Sequence, residues 1–541
     1  MKSLFFIVTI ASILLSSACS ENSQTPVELG NREGIYHVGN LDEPSDIDPH
    51  ITTGLPEYLI QMALFEGLVS KHPETLATVP GVAERWDISQ DQKTYTFHLR
   101  KDAKWSDGKA ITAEDFLWSW RRALLPALGN QYAYSFYIIK NAEAFYKGDI
   151  DDFAKVGVEA LDPHTLKVEL ANPASYFLQL LDHHSMYPVP RHVVEKWGKA
   201  DERGTRWTRP ENFVGNGAFT LYEWMPNQVL KVKRNPHYWD AATVKLNEVN
   251  FYPVQQTATE ERMFRSGQLH RTENVPLDKV AGYLEKNDPN FNIDPYYGSY
   301  FYRLNTTYGP LKDKRVRQAL AYSIDRKQIT EFVSKSGETP SFALTPPQRN
   351  GYQPRARQLF DIEKAKALLA EAGYPNGEGL EPLELLYNTH EAHKKIAVAI
   401  QQMWKQNLGI DVKLLNQDWK VFLDSQRNLN YQVCRGSWIG DYLDPSTFLD
   451  LFTSYSGNNN TGWENTEYDA LVRRATSAKT EAERFELFNQ AEAVLLEEAP
   501  FIAIYTYTKK YLLSPSVKGI TPNIMDYHPY KYISLESQPE Q

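Results

Sequence analysis

A chain of 541 residues, 42% hydrophobic and 23% charged, is too long for one hydrophobic core, so roughly two to four domains are expected. Its formal net charge of −10 argues against nucleic acid as a partner, and its two cysteines leave no CxxC pair for metal or redox work. The 32 Tyr, 24 Phe and 12 Trp are compatible with a recognition surface, because such side chains offer large contact area at low entropic cost.

Lys2, an apolar run over residues 4–15 and the small residues Ser16, Ser17 and Ala18 read as a secretory signal peptide, 1–18. The sequence LLSSAC resembles the bacterial lipoprotein box, whose cysteine, here Cys19, is lipidated and becomes the mature N-terminus. That pattern prefers Leu where Ser16 stands, so plain cleavage and release is the alternative. Residues 19–33 begin with a polar run and are expected to form a tether. If Cys19 carries lipid, Cys434 has no disulfide partner.

Residues 34–50 read as extended and end in a cluster of Asp and Pro, and 58–68 (YLIQMALFEGL) carry apolar residues at helical spacing. The run TYTFHL at 94–99 alternates as a strand does, KWSDGK marks a turn, and Thr112 opens a helix over 112–125 through the capping box TAED. Strands are expected at 164–170, 218–224 and 229–234, and a charged helix at 258–266. The aromatic run PYYGSYFYRLN at 295–305 predicts another strand, and 361–372 a helix capped by Asp361 and stopped by Gly373 and Pro375. Strand 382–388, a helix ending at Gly409 and strand 410–415 form a βαβ unit, which predicts parallel pairing. A helix over 483–497 leads into a strand at 501–508. The fold class is α/β with α+β. Without a Gly/Ser- or Pro-rich linker, the chain is expected to cross between its lobes more than once.

One stretch, RGSWIGDYLDP at 435–445, concentrates the chemistry. Asp444 precedes Pro445 and suits an N-cap with Pro in the first helical position. Asp441 has no such duty. Following Trp438, Ile439 and Gly440, with Arg435 six residues earlier, it offers a carboxylate beside an aromatic wall, which is what a ligand ammonium needs. The plainer use, capping a turn or pairing with a surface lysine, stays open on residue types alone. No GxSxG elbow or Walker loop is present, and His390 and His393 are three apart where a zinc helix needs four. Among 68 acids a glycosidase pair of carboxylates remains a formal alternative.

Residues 81–122 (GVAERWDISQDQKTYTFHLRKDAKWSDGKAITAEDFLWSWRR) carry a wider pattern. With DIDPHITTGLPE, FVGNGAFTL, DKRVRQALAYSIDR, LLYNTHEAHKK, NQDWKVFLD and RGSWIGDYLDPSTFL, they resemble, in order, the oligopeptide- and dipeptide-binding proteins of bacterial ABC importers. The resemblance implies a two-lobed periplasmic binding protein of the large three-domain type, its lobes joined by crossing strands. It implies domain I at 34–66, 190–292 and 510–541, domain II at 67–189 and domain III at 293–509. It further implies a monomeric receptor, neither enzyme nor cofactor-dependent, that closes on a short peptide held as an added strand and delivers it to permease subunits.

On that pattern Asp441 holds the peptide α-ammonium, while Arg435 and His393 face its carboxylate. Trp438 and Trp419 wall the cavity, Gly54 and Leu55 present a backbone strand, and Phe301 and Asn274 complete the site. Phe301 stands where Tyr is common, Thr53 where an acid is frequent, and Gly298 and Ile439 where enteric members carry cysteines. Murein-peptide, nickel, haem and sugar receptors share the frame, and a peptide chaperone without a transporter is a further reading.

Overall fold

The computed structural model describes residues 24–348 and 351–536; residues 1–18, expected to be a signal peptide, and Cys19 lie outside the described residues. In the first lobe, Ile35–Gly39 pairs in parallel with Glu248–Tyr252, and Val229–Arg234 and Phe219–Met225 extend the sheet antiparallel. Its inner face carries Tyr36, Val38, Phe219, Leu230, Val232 and Phe251. A second sheet, Ala83–Ile88, Thr94–Leu99, Thr165–Glu169 and Val158–Asp162, is wholly antiparallel. The alternation in TYTFHL turns Tyr95, Phe97 and Leu99 inward against Phe116 and Trp120 of the helix Ala113–Ala123. That helix begins with the capping box the sequence predicts, formed by Thr112 and Asp115.

The second lobe holds a six-stranded mixed sheet in the order Thr339–Pro340, Phe501–Leu512, Phe291–Leu304, Val433–Ile439, Leu383–Asn388, Val412–Gln417. Its βαβ unit pairs Leu383–Asn388 in parallel with Val412–Gln417, as the pattern required. The intervening helix Glu391–Leu408 buries Ile396, Ile400, Met403 and Trp404, and Gly409 ends it at φ 73°.

Two strands are long enough to serve both lobes. Phe291–Leu304 and Phe501–Leu512 run antiparallel, and their register is broken between Pro295 and Ser299. Beyond the break, Leu512 exchanges hydrogen bonds with Thr272 of the first lobe. The chain then stays there: Val517–Lys518 pairs with Ser534–Leu535, and Tyr530 and Ile533 enter the first core.

Two expectations need correction. Residues 26–33, taken as tether, form the helix Pro26–Glu33, because Thr25 and Glu28 make a capping box with Pro26 at the start. Leu55 is not in a strand but opens the helix Leu55–Leu64; Gly54, extended at φ −95° and ψ 153°, is its N-cap, and Pro56 lies in the first turn, where a missing N–H costs nothing.

The lobes are shut against each other. Arg473 grips Glu143 through two bonds of 2.7 and 2.8 Å, and Tyr442 stacks on Tyr176 with ring centres 5.4 Å apart. The Leu443 amide donates to Gln179 Oε1 at 3.2 Å, and Gln131 Nε2 to the Gly457 carbonyl at 3.0 Å.

Candidate ligand-binding site between the lobes

A cavity of about 310 Å³ lies between the lobes. Gly54, Leu55 and Asn274 line it from the first lobe, and His393, Trp419, Arg435, Trp438 and Asp441 from the second. Its long wall is the strand Val433–Ile439. One edge of that strand is paired with Phe291–Leu304 along its whole length. The other is paired with Leu383–Asn388 only at Val433 and Cys434, so from Gly436 onward that edge has no strand beside it among the described residues. Ser437, Trp438, Ile439 and Gly440 line the cavity. Peptide groups so placed offer ladder hydrogen bonds to an extended guest.

Asp441 follows this edge. Its Oδ2 accepts from Thr447 Oγ1 at 3.1 Å, while Thr447 Oγ1 accepts from the Asp441 amide at 2.9 Å. His183 of the first lobe lies 3.3 Å from Oδ1. His183 Nδ1 accepts from the Ser185 amide at 3.4 Å, and Nε2 is the atom that approaches Asp441. Lys71 does not pair with the carboxylate: it binds Asp182 at 3.0 Å and donates to the Asp441 carbonyl at 3.4 Å. Tyr132 and Trp438 stand together at the same pole, ring centres 5.9 Å apart. Burial and then the Asp441 charge hold the phenols of Tyr132 and Tyr134 well above their ordinary range. The result is a carboxylate, 15% exposed, in an aromatic enclosure, with Thr447 as the side chain that donates to it. The other acid of the stretch is spoken for: Asp444 accepts from the Ser446 amide at 2.9 Å and pairs with Arg484.

Arg435 marks the opposite pole. Its guanidinium donates to Tyr507 Oη at 2.7 Å and lies 4.9 Å from the centre of the Tyr300 ring, with Asn388 Oδ1 at 3.5 Å. These partners are neutral, although an arginine this buried carries a full charge. His393 contacts Tyr300 Oη at 3.3 Å; burial, with Arg435 and His390 adding to it, holds its imidazole well below the usual value and therefore neutral. Burial and the Arg435 charge likewise bring His390 down to about 4. The floor is an ion network in which Lys509 bridges Glu273 at 2.5 Å and Asp526 at 2.9 Å, and Arg271 binds Asp526 at 2.8 Å.

Phe301 does not belong to the site. It is fully buried between Phe452 and Phe501, with ring centres at 6.0 and 5.8 Å. The strand was placed correctly, but its period of two puts Tyr300 on the face toward Arg435 and His393 and Phe301 on the other. Residue types also missed His183 and Lys71. The one local signal, His183 two residues before Ser185, speaks of a turn cap and not of Asp441. Among the described residues no group of His, Cys, Asp or Glu could hold a metal ion, and no helix is long and apolar enough to cross a membrane.

Comparison with known proteins agrees with this architecture. The family model described as bacterial extracellular solute-binding proteins, family 5 middle, matches residues 77–460. The periplasmic murein peptide-binding protein MppA of Escherichia coli (strain K12) is 39% identical over 522 residues, 95% of each chain. A solved structure of the E. coli murein tripeptide binding protein MppA superimposes with a TM-score of 0.88 at 38% identity, covering 93% of this chain and 98% of that one. Haemophilus influenzae OppA in complex with RPPGFSPFR gives 0.88 at 35% identity, covering 93% and 99%. The unliganded open form of MppA, at the same 38% identity and covering 93% and 97%, gives only 0.62. The lobes here are thus disposed unlike those of the open form, in keeping with the contacts between them. The chain belongs to family 5 of the bacterial extracellular solute-binding proteins.

Proposed function

We propose that this chain is the extracytoplasmic receptor of an ABC importer, capturing short peptides between its lobes and delivering them to the permease. The observation that carries the reading is the unpaired edge of Val433–Ile439, which lines the cavity between the lobes and runs from Arg435 toward Asp441. Main-chain bonds along such an edge are indifferent to peptide sequence, and the two poles answer a free amine and a free carboxylate. The relatives named for murein peptides and oligopeptides support it. Murein peptides are a subclass of the same ligand chemistry. We further assign membrane attachment to lipid on Cys19, and the limits 34–66, 190–292 and 510–541, 67–189, and 293–509 to three domains; the separate cores around the three large sheets support that division. Isothermal titration with Ala-Ala-Ala and its N-acetyl form tests the reading. Acetylation is expected to weaken binding at least about tenfold, since it removes a charge-assisted bond. Equal binding of the two forms, or heat from neither, overturns it.

A further inference from the structure

The cavity wall near Gly54 carries an acid that peptide termini leave unused. Asp42 is 7% exposed, lines the cavity and accepts one side-chain hydrogen bond, from Gln255 Nε2 at 2.6 Å. The charges that bear on it are those of Asp418 and Glu43, both acidic. Burial, and then those acids against the Gln255 bond, push its carboxyl up to about 6.

Asp418 belongs to the second lobe and directly precedes Trp419. A Cβ built on Gly54 of the first lobe would lie 3.0 Å from the Trp419 ring, so the two lobes touch at this corner. Beneath Gly54 sits Glu57, wholly buried, its Oε1 taken by the Ser45 amide at 2.7 Å and its Oε2 without a hydrogen-bond partner. Closing the lobes therefore brings acids together from both sides, with no basic side chain paired to Asp42 among the described residues. A buried carboxylate with only an amide for company is costly, and like charges across a closing cleft add to that cost. A cation delivered by the ligand relieves both. Trp419 lines the cavity at this corner and offers apolar surface to the methylenes of such a side chain.

We propose that this corner is a subsite for a cationic side chain of the bound peptide, that of lysine, arginine or another ω-amino acid, with Asp42 as the residue that sets the preference. The proposal deepens the peptide reading and rests on it.

The test compares Lys-Ala-Ala, Ala-Lys-Ala and Ala-Ala-Lys, each against the peptide with norleucine in place of lysine, by titration into the purified full chain. Norleucine keeps the chain length and removes the charge. At one of the three positions lysine is expected to bind about tenfold or more tighter, the size of one charge-assisted hydrogen bond. In Asp42→Asn the lysine-to-norleucine ratio at that position is expected to fall to within about threefold of one. Lysine and norleucine binding alike at all three positions overturns the proposal, and that comparison needs no variant. A lysine preference unchanged in folded Asp42→Asn also overturns it. Heat from the norleucine peptides without a lysine preference removes this subsite and leaves the peptide reading standing; no heat from any peptide removes both.

Discussion

His183 Nε2 lies 3.3 Å from Asp441 Oδ1, one side chain from each lobe. The acid assigned to the ligand amine thus touches the lobe that must close over it, so clasping the ligand and closing the cleft meet at one carboxylate. His183→Gln keeps a polar group beside the carboxylate and is expected to leave Ala-Ala-Ala affinity within about threefold, whereas His183→Phe puts an apolar ring there and should weaken binding about tenfold. Titration calorimetry of both variants checks this; equal losses would mean that the ring matters for packing alone.

Asp441→Asn keeps the shape of the site and deletes its charge. Affinity for free-amine tripeptides should drop about ten- to a hundredfold, with little change for N-acetylated ones. Direct titration reads the difference.

His50 predicts a pH dependence of stability. It is wholly buried, accepts from Arg122 Nη1 at 2.9 Å and donates from Nε2 to the Tyr187 carbonyl at 3.0 Å. Burial and then the Arg122 charge lower it to about 4, against an ordinary value of 6.5. On acidification the unfolded chain takes the proton first. Stability is therefore full above pH 6.5, falls as the pH drops toward about 4 and levels off below it, with roughly 3 kcal/mol lost at this site. His37, lowered to about 4 chiefly by burial, acts in the same direction. Guanidinium unfolding at pH 7 and pH 5 should show the loss, and His50→Asn should flatten the slope.

Cys434 is fully buried, and burial pushes its thiol up to about 12. It should resist a thiol reagent at pH 8 in the folded protein and react on denaturation, as mass spectrometry of its peptide would show.

Glu143 and Arg473 tie the lobes at the rim, where Arg473 brings the Glu143 carboxyl down to about 2 despite partial burial. Both side chains are partly exposed, at 23% and 45%, so Glu143→Gln should change stability by less than about 1 kcal/mol. A melt measured beside that of Asp441→Asn separates a rim contact from the ligand clasp.

The elements legible in the sequence were those with local causes. The capping box at Thr112 and Asp115, the stop at Gly409 and the alternation in TYTFHL each depend on a few neighbouring residues, and all formed where expected. Asp441 stood out because no local duty explained it, while Asp444 did have one. What escaped was decided by residues far apart in the chain. His183 meets Asp441 only through the closing of two lobes, and the Lys509 network assembles from three separate segments. Phe301 failed for a narrower reason: a resemblance names a strand position, but only the pleat decides which neighbour faces the ligand. The helix at Pro26 was legible too, since its capping box, Thr25 with Glu28, lies in the sequence within a polar run.

The return of the chain after Leu512 bears on the order of assembly. Tyr530 and Ile533 pack in the same core as Tyr36 and Phe251, so the core beneath the earliest sheet, whose strands are complete by Tyr252, stays open until residues 530–533 arrive. A chain of this design cannot close its first core before that late segment is in place. A premature stop near position 512 would then damage the beginning of the protein more than its middle.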